Sequence, residues 1–209
     1  MKYNLILASG SPRRKEFISF LEIPFQIKVL HTEENSNHTN PADLAMEIAE
    51  SKGRVVLESE LQTQKSNYFP FVVAADTIVT FNNQILGKPT DAEHAKVMLR
   101  MLAAREHDVI TAVYIGFLNR ETKKIVERSF FCKTIVEFAE ISEIELDAYI
   151  KTKDPLDKAG SYGIQGHALT FIKKVNGSYS NVVGLPIFEL KQAMIELINP
   201  KNSLQSEFN

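Results

Sequence analysis

The apolar run Leu5-Ile6-Leu7-Ala8 passes straight into Ser9-Gly10-Ser11-Pro12-Arg13-Arg14, so a short strand ends where a helix begins and two guanidinium groups follow the proline. A helix start of this kind offers unsatisfied N–H groups and the positive end of the peptide dipole. Arg13 and Arg14 add forked donors that match phosphate oxygens, while Ser9 and Gly10 let the backbone approach a ligand. The other reading is that both arginines form surface ion pairs and Ser-Pro only starts the helix.

Asp76 is the second unusual residue. It stands in Phe71-Val72-Val73-Ala74-Ala75-Asp76-Thr77-Ile78-Val79, a run apolar on both faces and therefore a buried strand. A carboxylate there is costly unless it is paired, binds a metal or is neutralised. Desolvation would suit it to a general base, and a nearby cation would keep it ionised. The simpler alternative is an aspartate at the strand's exposed end, capping the next turn. Asp76-Thr77-Ile78 also resembles half of the haloacid-dehalogenase motif, but Ile78 stands where that chemistry needs a second acid, and the reading is rejected.

Lys52 lies four residues after Ile48 and eight after Leu44, on what reads as the apolar seam of a helix. It either snorkels to the surface or faces an anion. Lys88, in Leu86-Gly87-Lys88-Pro89, is a fourth cation. Glu33-Glu34, with His31 and His38 nearby, reads as a solvated acidic loop, with a carboxylate ligand for magnesium as the alternative. Gly160, Gly163 and Gly166 shape a loop that carries Gln165, whose amide both donates and accepts. That loop matches neither the Walker nor the dinucleotide fingerprint. Four cations and a sequestered carboxylate point to phosphoanhydride chemistry.

The elements that must position these groups follow from punctuation and period. Strands are expected at 3–8, 71–79, 108–118, 125–138 and 169–175, with a hairpin at Asn82-Asn83. Helices are expected after Ser11-Pro12, from Pro41 to about Leu57, after a capping box at Thr90-Asp91-Ala92-Glu93, near 142–152 and over 186–198. Residues 58–70 read as a polar surface loop, and 199–209 as a frayed polar tail. The mixture predicts an α/β fold with a mixed sheet in one domain, 1–198.

The chain has 209 residues, 44% hydrophobic and 24% charged, with a net charge of −2. That balance gives no general attraction to nucleic acid or anionic membrane. No run reaches the roughly 18 apolar residues of a membrane span. A signal-peptide core is lacking, so a cytoplasmic protein is expected. The single cysteine, Cys132, excludes an internal disulfide and reads as a buried small hydrophobe. His107 reads as satisfying a polar contact at a strand start.

Taken together, Ser9-Gly10-Ser11-Pro12-Arg13-Arg14, Ala75-Asp76-Thr77, Gly87-Lys88-Pro89, Lys158-Ala159-Gly160-Ser161-Tyr162-Gly163-Ile164-Gln165-Gly166 and Gly177-Ser178-Tyr179-Ser180-Asn181-Val182-Val183-Gly184-Leu185-Pro186 resemble, in order, the motifs of Maf proteins. The resemblance covers about 5 to 198. It implies an elongated two-lobed α/β fold with a central cleft, similar to inosine triphosphatases, and often a homodimer. It also implies a nucleoside triphosphate pyrophosphatase that releases a monophosphate and pyrophosphate with a divalent metal, magnesium or manganese. By that resemblance Asp76 accepts the proton of water. Arg13, Thr77 and Gln165 bear on the base, while Arg14, Lys52 and Lys88, beside Ser9, bear on the phosphates. Glu34, together with Asp76, bears on the metal.

Gln165 complements the N3–H and carbonyls of thymine and uracil, whereas the 7-methyl-GTP branch resembles a site with an acid there. The branch implied is therefore dTTP and UTP. The alternatives are a 7-methyl-GTP or modified-nucleotide pyrophosphatase, and a non-catalytic regulator of septum formation. Ala103-Ala104-Arg105-Glu106 departs from the family, which usually carries a glycine before His107.

Overall fold

Strand β1 (Tyr3–Leu7) buries Leu5, Ile6 and Leu7 completely or nearly so, as a strand apolar on both faces must. It pairs in parallel with β2 (Phe25–Ile27) on one side and β3 (Phe69–Phe81) on the other. The structure is a computed structural model that describes residues 2–32, 38–63 and 68–209. Two compact units are recognised: Met1–Asp76 with Ala112–Phe131 and Gly184–Asn209, and Thr77–Thr111 with Cys132–Val183. Among the described residues there are seven strands in a mixed sheet of order β2-β1-β3-β5 (Glu106–Leu118)-β6 (Ile125–Phe138)-β7 (Ile172–Asn176), with β4 (Gln84–Leu86) paired to β3, and six α-helices. No helix among them is long and apolar enough to cross a membrane. The mixed-sheet α/β class read from the sequence is the one observed.

In the first unit, Ser11 caps helix α1 (Pro12–Ser19), its hydroxyl accepting from the Arg14 N–H at 3.5 Å, with Pro12 at the first helical position. Helix α2 (Pro41–Thr63) is capped by the Asn40 side chain, which accepts from the Ala42 N–H at 2.9 Å. Its buried face is mostly small: Ala42, Ala45, Ala49, Gly53, Val56, Leu57 and Glu60. Leu44 and Ile48 are only half-buried, so the seam expected to carry Lys52 borders the buried face instead of centring it. Gly53 is needed, because a Cβ there would overlap the ring of Tyr114 on β5 (Glu106–Leu118).

The second unit contains the latter part of β3, which turns at Asn82-Asn83 into β4 (Gln84–Leu86) as an antiparallel hairpin. Both asparagines have positive φ, 50° and 63°, as such a two-residue turn requires. Helices α3 (Ala92–Leu102) and α4 (Glu143–Lys151) enclose a core that includes Leu99, Leu102, Val136, Phe138, Leu146, Tyr162 and Phe171. Strand β6 (Ile125–Phe138) enters this unit at Cys132 and pairs antiparallel with β7 (Ile172–Asn176). Helix α5 (Tyr179–Val183) follows in the same unit, and α6 (Ile187–Ile198) belongs to the first.

Several expectations need correction. Helix α2 continues through 58–63, because Glu60 is buried and accepts from the Lys28 ammonium at 2.7 Å and the Tyr68 hydroxyl at 3.1 Å. The residues expected as a loop are thus partly helix and, from Phe69, strand. Asp91, not Thr90, caps α3, accepting from the His94 N–H at 2.8 Å. Strand β2 and helix α5 were not foreseen, both being too short to show a period. Cys132 is half-buried, since its strand alternates exposed and covered positions. The tail is not frayed: Leu204 and Phe208 are buried, Phe208 packs on Tyr3 and Phe71, and the Asn209 N–H donates to the Tyr3 carbonyl at 3.0 Å.

His107 is 3% exposed and its Nε2 lies 2.7 Å from the Tyr162 hydroxyl, the polar contact expected of it. Its Nδ1 is buried without a hydrogen-bond partner among the described residues. Burial pulls its pKa down to about 4, against a small opposing effect of Asp108. A depressed histidine contributes stability that is complete above its unfolded value near 6.5 and is lost as pH falls toward 4. Denaturant unfolding between pH 7 and 4 is expected to lose about 3 kcal/mol from this group. His107→Gln should flatten that slope, and an unchanged slope would refute the assignment. Gly53→Ala is expected to lower stability by about 1–3 kcal/mol through the overlap with Tyr114, read as a fall in denaturation midpoint.

Candidate active site

Within the first unit, β1 ends at Leu7, the buried Ser9 lies in the loop that follows, and α1 begins at Pro12, so that loop and the first turn of α1 form one wall of a pocket. The pocket has a volume of about 210 Å3 and is lined by Ala8, Ser9, Gly10, Arg14, Val29, Leu30 and Lys52. Two of these seven residues are cations, and among the described residues no carboxylate lines the pocket. Arg14 is held in place by the rest of the chain: its Nε donates to the Gly184 carbonyl at 2.8 Å and its Nη1 to the Ser9 hydroxyl at 3.3 Å. Ser9 also accepts from the Ser11 N–H at 3.3 Å. Burial holds the Arg14 pKa below its usual value, Asp76 opposes that, and Arg13 reinforces it. A guanidinium remains protonated regardless.

Lys52 reaches from α2 to Asp76, its ammonium 2.9 Å from Oδ1. Their side chains are only 24% and 16% exposed, so this is a partly desolvated pair on the buried strand β3. The carboxylate in the apolar strand is therefore compensated by a cation. Gly10 is not demanded by packing, because a Cβ there would meet only Val29 at 3.8 Å, an ordinary contact. An unforced glycine beside two cations suits close approach of a ligand.

Ser9, Arg14, Lys52 and Asp76 are thus brought together in one unit, with half-buried Arg13 close enough to Arg14 to affect it. Thr77, Lys88 and Gln165 belong to the other unit. Thr77 is half-buried, and its hydroxyl lies 3.0 Å from that of Thr111. Lys88 and Gln165 are exposed. The loop bearing Gln165 is braced by Lys158, whose ammonium bonds the Asp154 carbonyl at 2.7 Å, Asp154 Oδ1 at 2.9 Å and Asp157 Oδ1 at 2.6 Å. Tyr149 completes the brace, donating to Asp154 Oδ2 at 2.8 Å and accepting from the Gly163 N–H at 3.2 Å. Glu34 lies outside the described residues.

Among the described residues no group of three or more His, Cys, Asp or Glu side chains could hold a metal ion. Asp76 supplies a carboxylate whose Oδ1 already receives Lys52. This donor set fits a magnesium-type ion carried largely by substrate phosphates and water, with few protein ligands.

Two features were beyond the residue-by-residue reading of the sequence. One is the Gly184 carbonyl, which aims Arg14; its only local signal is a glycine at φ 119° before Leu185-Pro186. The other is Asn181, wholly buried, whose amide accepts from the Thr111 N–H and donates to the Val109 carbonyl and the Thr134 hydroxyl.

The family profile described as Maf-like protein matches residues 4–197. A dTTP/UTP pyrophosphatase of Bacillus cytotoxicus is 45% identical over 186 residues, covering 88% of this chain and 91% of that protein. A dTTP/UTP pyrophosphatase of Bacillus cereus is 44% identical over 198 residues, covering 92% and 97%. A third, from Bacillus thuringiensis, is 43% identical with the same coverage.

If the pocket is an anion site, Arg14→Lys should weaken pyrophosphate binding by about tenfold or more, because an ammonium cannot reproduce the fork. Lys15→Ala, exposed on the same helix, should leave it within about twofold. Titration calorimetry with pyrophosphate reads both, and equal losses would contradict the assignment.

Proposed function

This chain belongs to the Maf family, and from that premise we propose that it hydrolyses dTTP and UTP to the monophosphate and pyrophosphate. The observation that carries the reading is the 2.9 Å pair between Lys52 and Asp76, with Lys52 also lining the pocket that holds Arg14 and Ser9. A base and two phosphate-binding cations are what attack of water on a phosphoanhydride needs.

In this reading Asp76 takes a proton from water, whose oxygen bonds to the α-phosphorus. The bond from that phosphorus to the bridging oxygen breaks, and pyrophosphate departs with the electron pair. Lys52 occupies Oδ1, so the other carboxylate oxygen receives the proton. Arg14 and Lys88 hold the phosphates, Arg14 with the Ser9 hydroxyl, and their charge offsets what builds on the leaving oxygens. Arg13, Thr77 and Gln165 meet the base. A divalent ion, held by Asp76 and Glu34 and carried in on the phosphates, would neutralise charge and orient the anhydride when bound. The Maf resemblance supports a homodimer.

Gln165 favours a pyrimidine with an N3–H between two carbonyls over 7-methylguanine, whose positive charge calls for a carboxylate. A panel of dTTP, UTP, CTP, GTP and 7-methyl-GTP, with phosphate and pyrophosphate assayed separately, tests the reading. Pyrophosphate from dTTP and UTP is expected, and Asp76→Asn should lower kcat by about 10²–10⁴-fold while the protein stays folded. Full activity in that variant would remove Asp76 from the mechanism. Turnover of 7-methyl-GTP alone would overturn the base assignment, and binding without turnover would favour a regulator.

A further inference from the structure

The hydroxyl of Thr77 is wired to a buried network whose hydrogen-bond directions follow from its chemistry. Thr111, 0% exposed on β5, donates from Oγ1 to the main-chain carbonyl of Asn181 at 2.8 Å. A carbonyl oxygen only accepts, and a threonine hydroxyl has one proton to give. Toward Thr77, 3.0 Å away, Thr111 Oγ1 therefore acts as the acceptor, and Thr77 is the donor. With its single proton committed, Thr77 Oγ1 offers any other group lone pairs only.

Asn181 cannot release this constraint by turning. It is 0% exposed, its Oδ1 accepts from the Thr111 N–H at 3.1 Å, and its Nδ2 donates to the Val109 carbonyl at 3.0 Å. An N–H on one side and a carbonyl on the other fix which end of the amide is which. Nδ2 also donates to Thr134 Oγ1 at 2.9 Å, and the Thr134 hydroxyl then donates to the Ser178 carbonyl at 3.3 Å. The Asn181 N–H is itself bonded to the Ser178 hydroxyl at 3.3 Å. All these residues lie in one unit.

We propose that Thr111 and Asn181 are positioning residues for base selection: they make Thr77 a dedicated acceptor, which takes the N3–H of uracil or thymine, leaving the Gln165 amide N–H for a flanking carbonyl, and rejects cytosine, whose N3 carries a lone pair. The proposal rests on the reading above that places Thr77 at the base. In cytosine an acceptor would face an acceptor, and a mismatch of that kind discriminates strongly.

The test compares kcat/KM for UTP and CTP. Thr111→Val keeps the side chain's shape but removes the acceptor, freeing the Thr77 proton to point at a cytosine N3. The UTP/CTP ratio should fall about tenfold or more, chiefly because CTP improves relative to UTP. Thr111→Ser, which restores the hydroxyl, should return the ratio to that of the unaltered protein. Thr111→Ala serves the same purpose if the valine variant does not fold. A purely structural role would lower both substrates together and leave the ratio alone, and that result overturns the proposal. A Thr111→Val effect confined to dTTP against its 3′-deoxy analogue would place Thr77 on the sugar and overturn it too. If the unaltered protein turns over neither dTTP nor UTP, the functional reading itself fails. If it prefers UTP and Thr111→Val keeps that preference, only the present proposal fails.

Discussion

A carboxylate on a strand buried among Val72, Val73, Ala74 and Ile78 must be compensated, and Lys52 compensates Asp76 across 2.9 Å. Much of the first unit can be understood from that pair. For an ammonium on α2 to reach β3, the helix must lie close, and its buried face is accordingly built from Ala42, Ala45, Ala49 and Gly53. Gly53, next to Lys52, is where even one more carbon would strike Tyr114. The small residues are a condition for the ion pair.

The second cation is placed differently. Arg14 sits in the first turn of α1 and is aimed by two acceptors, the Gly184 carbonyl and the Ser9 hydroxyl. One is distant in sequence and the other is five residues away. Arg13 beside it disfavours further positive charge, and Asp76 partly relieves that. Arg13, Arg14 and Lys52 bring three positive charges against the one negative charge of Asp76, a surplus that suits a balancing anion. On the proposed reading, the triphosphate supplies it.

The elements legible in the sequence were those with strong local signals. Ser11-Pro12 marked α1, Asn82-Asn83 the hairpin, and Thr90-Asp91-Ala92-Glu93 the start of α3, to within the residue that caps it. Asp76 and Lys52 each stood out as polar residues in apolar surroundings, and the structure pairs them. What was hidden depended on distant contacts. Glu60 reads as surface, yet Lys28 and Tyr68 bury it and extend α2. The tail reads as polar, but Leu204 and Phe208 find the Tyr3 and Phe71 cluster, which no local pattern reveals. The direction of the Thr77 hydrogen bond is further still from the sequence, since it needs the Asn181 carbonyl to meet Thr111.

The central claim is that Asp76 directs water to the α-phosphorus, and the position of the transferred oxygen tests it most directly. Hydrolysis of UTP in ¹⁸O-water, followed by mass spectrometry of both products, should place one heavy oxygen in the monophosphate and none in pyrophosphate. Label found in pyrophosphate would mean attack at the β-phosphorus, and label in free phosphate a different bond altogether. Either result would contradict the account.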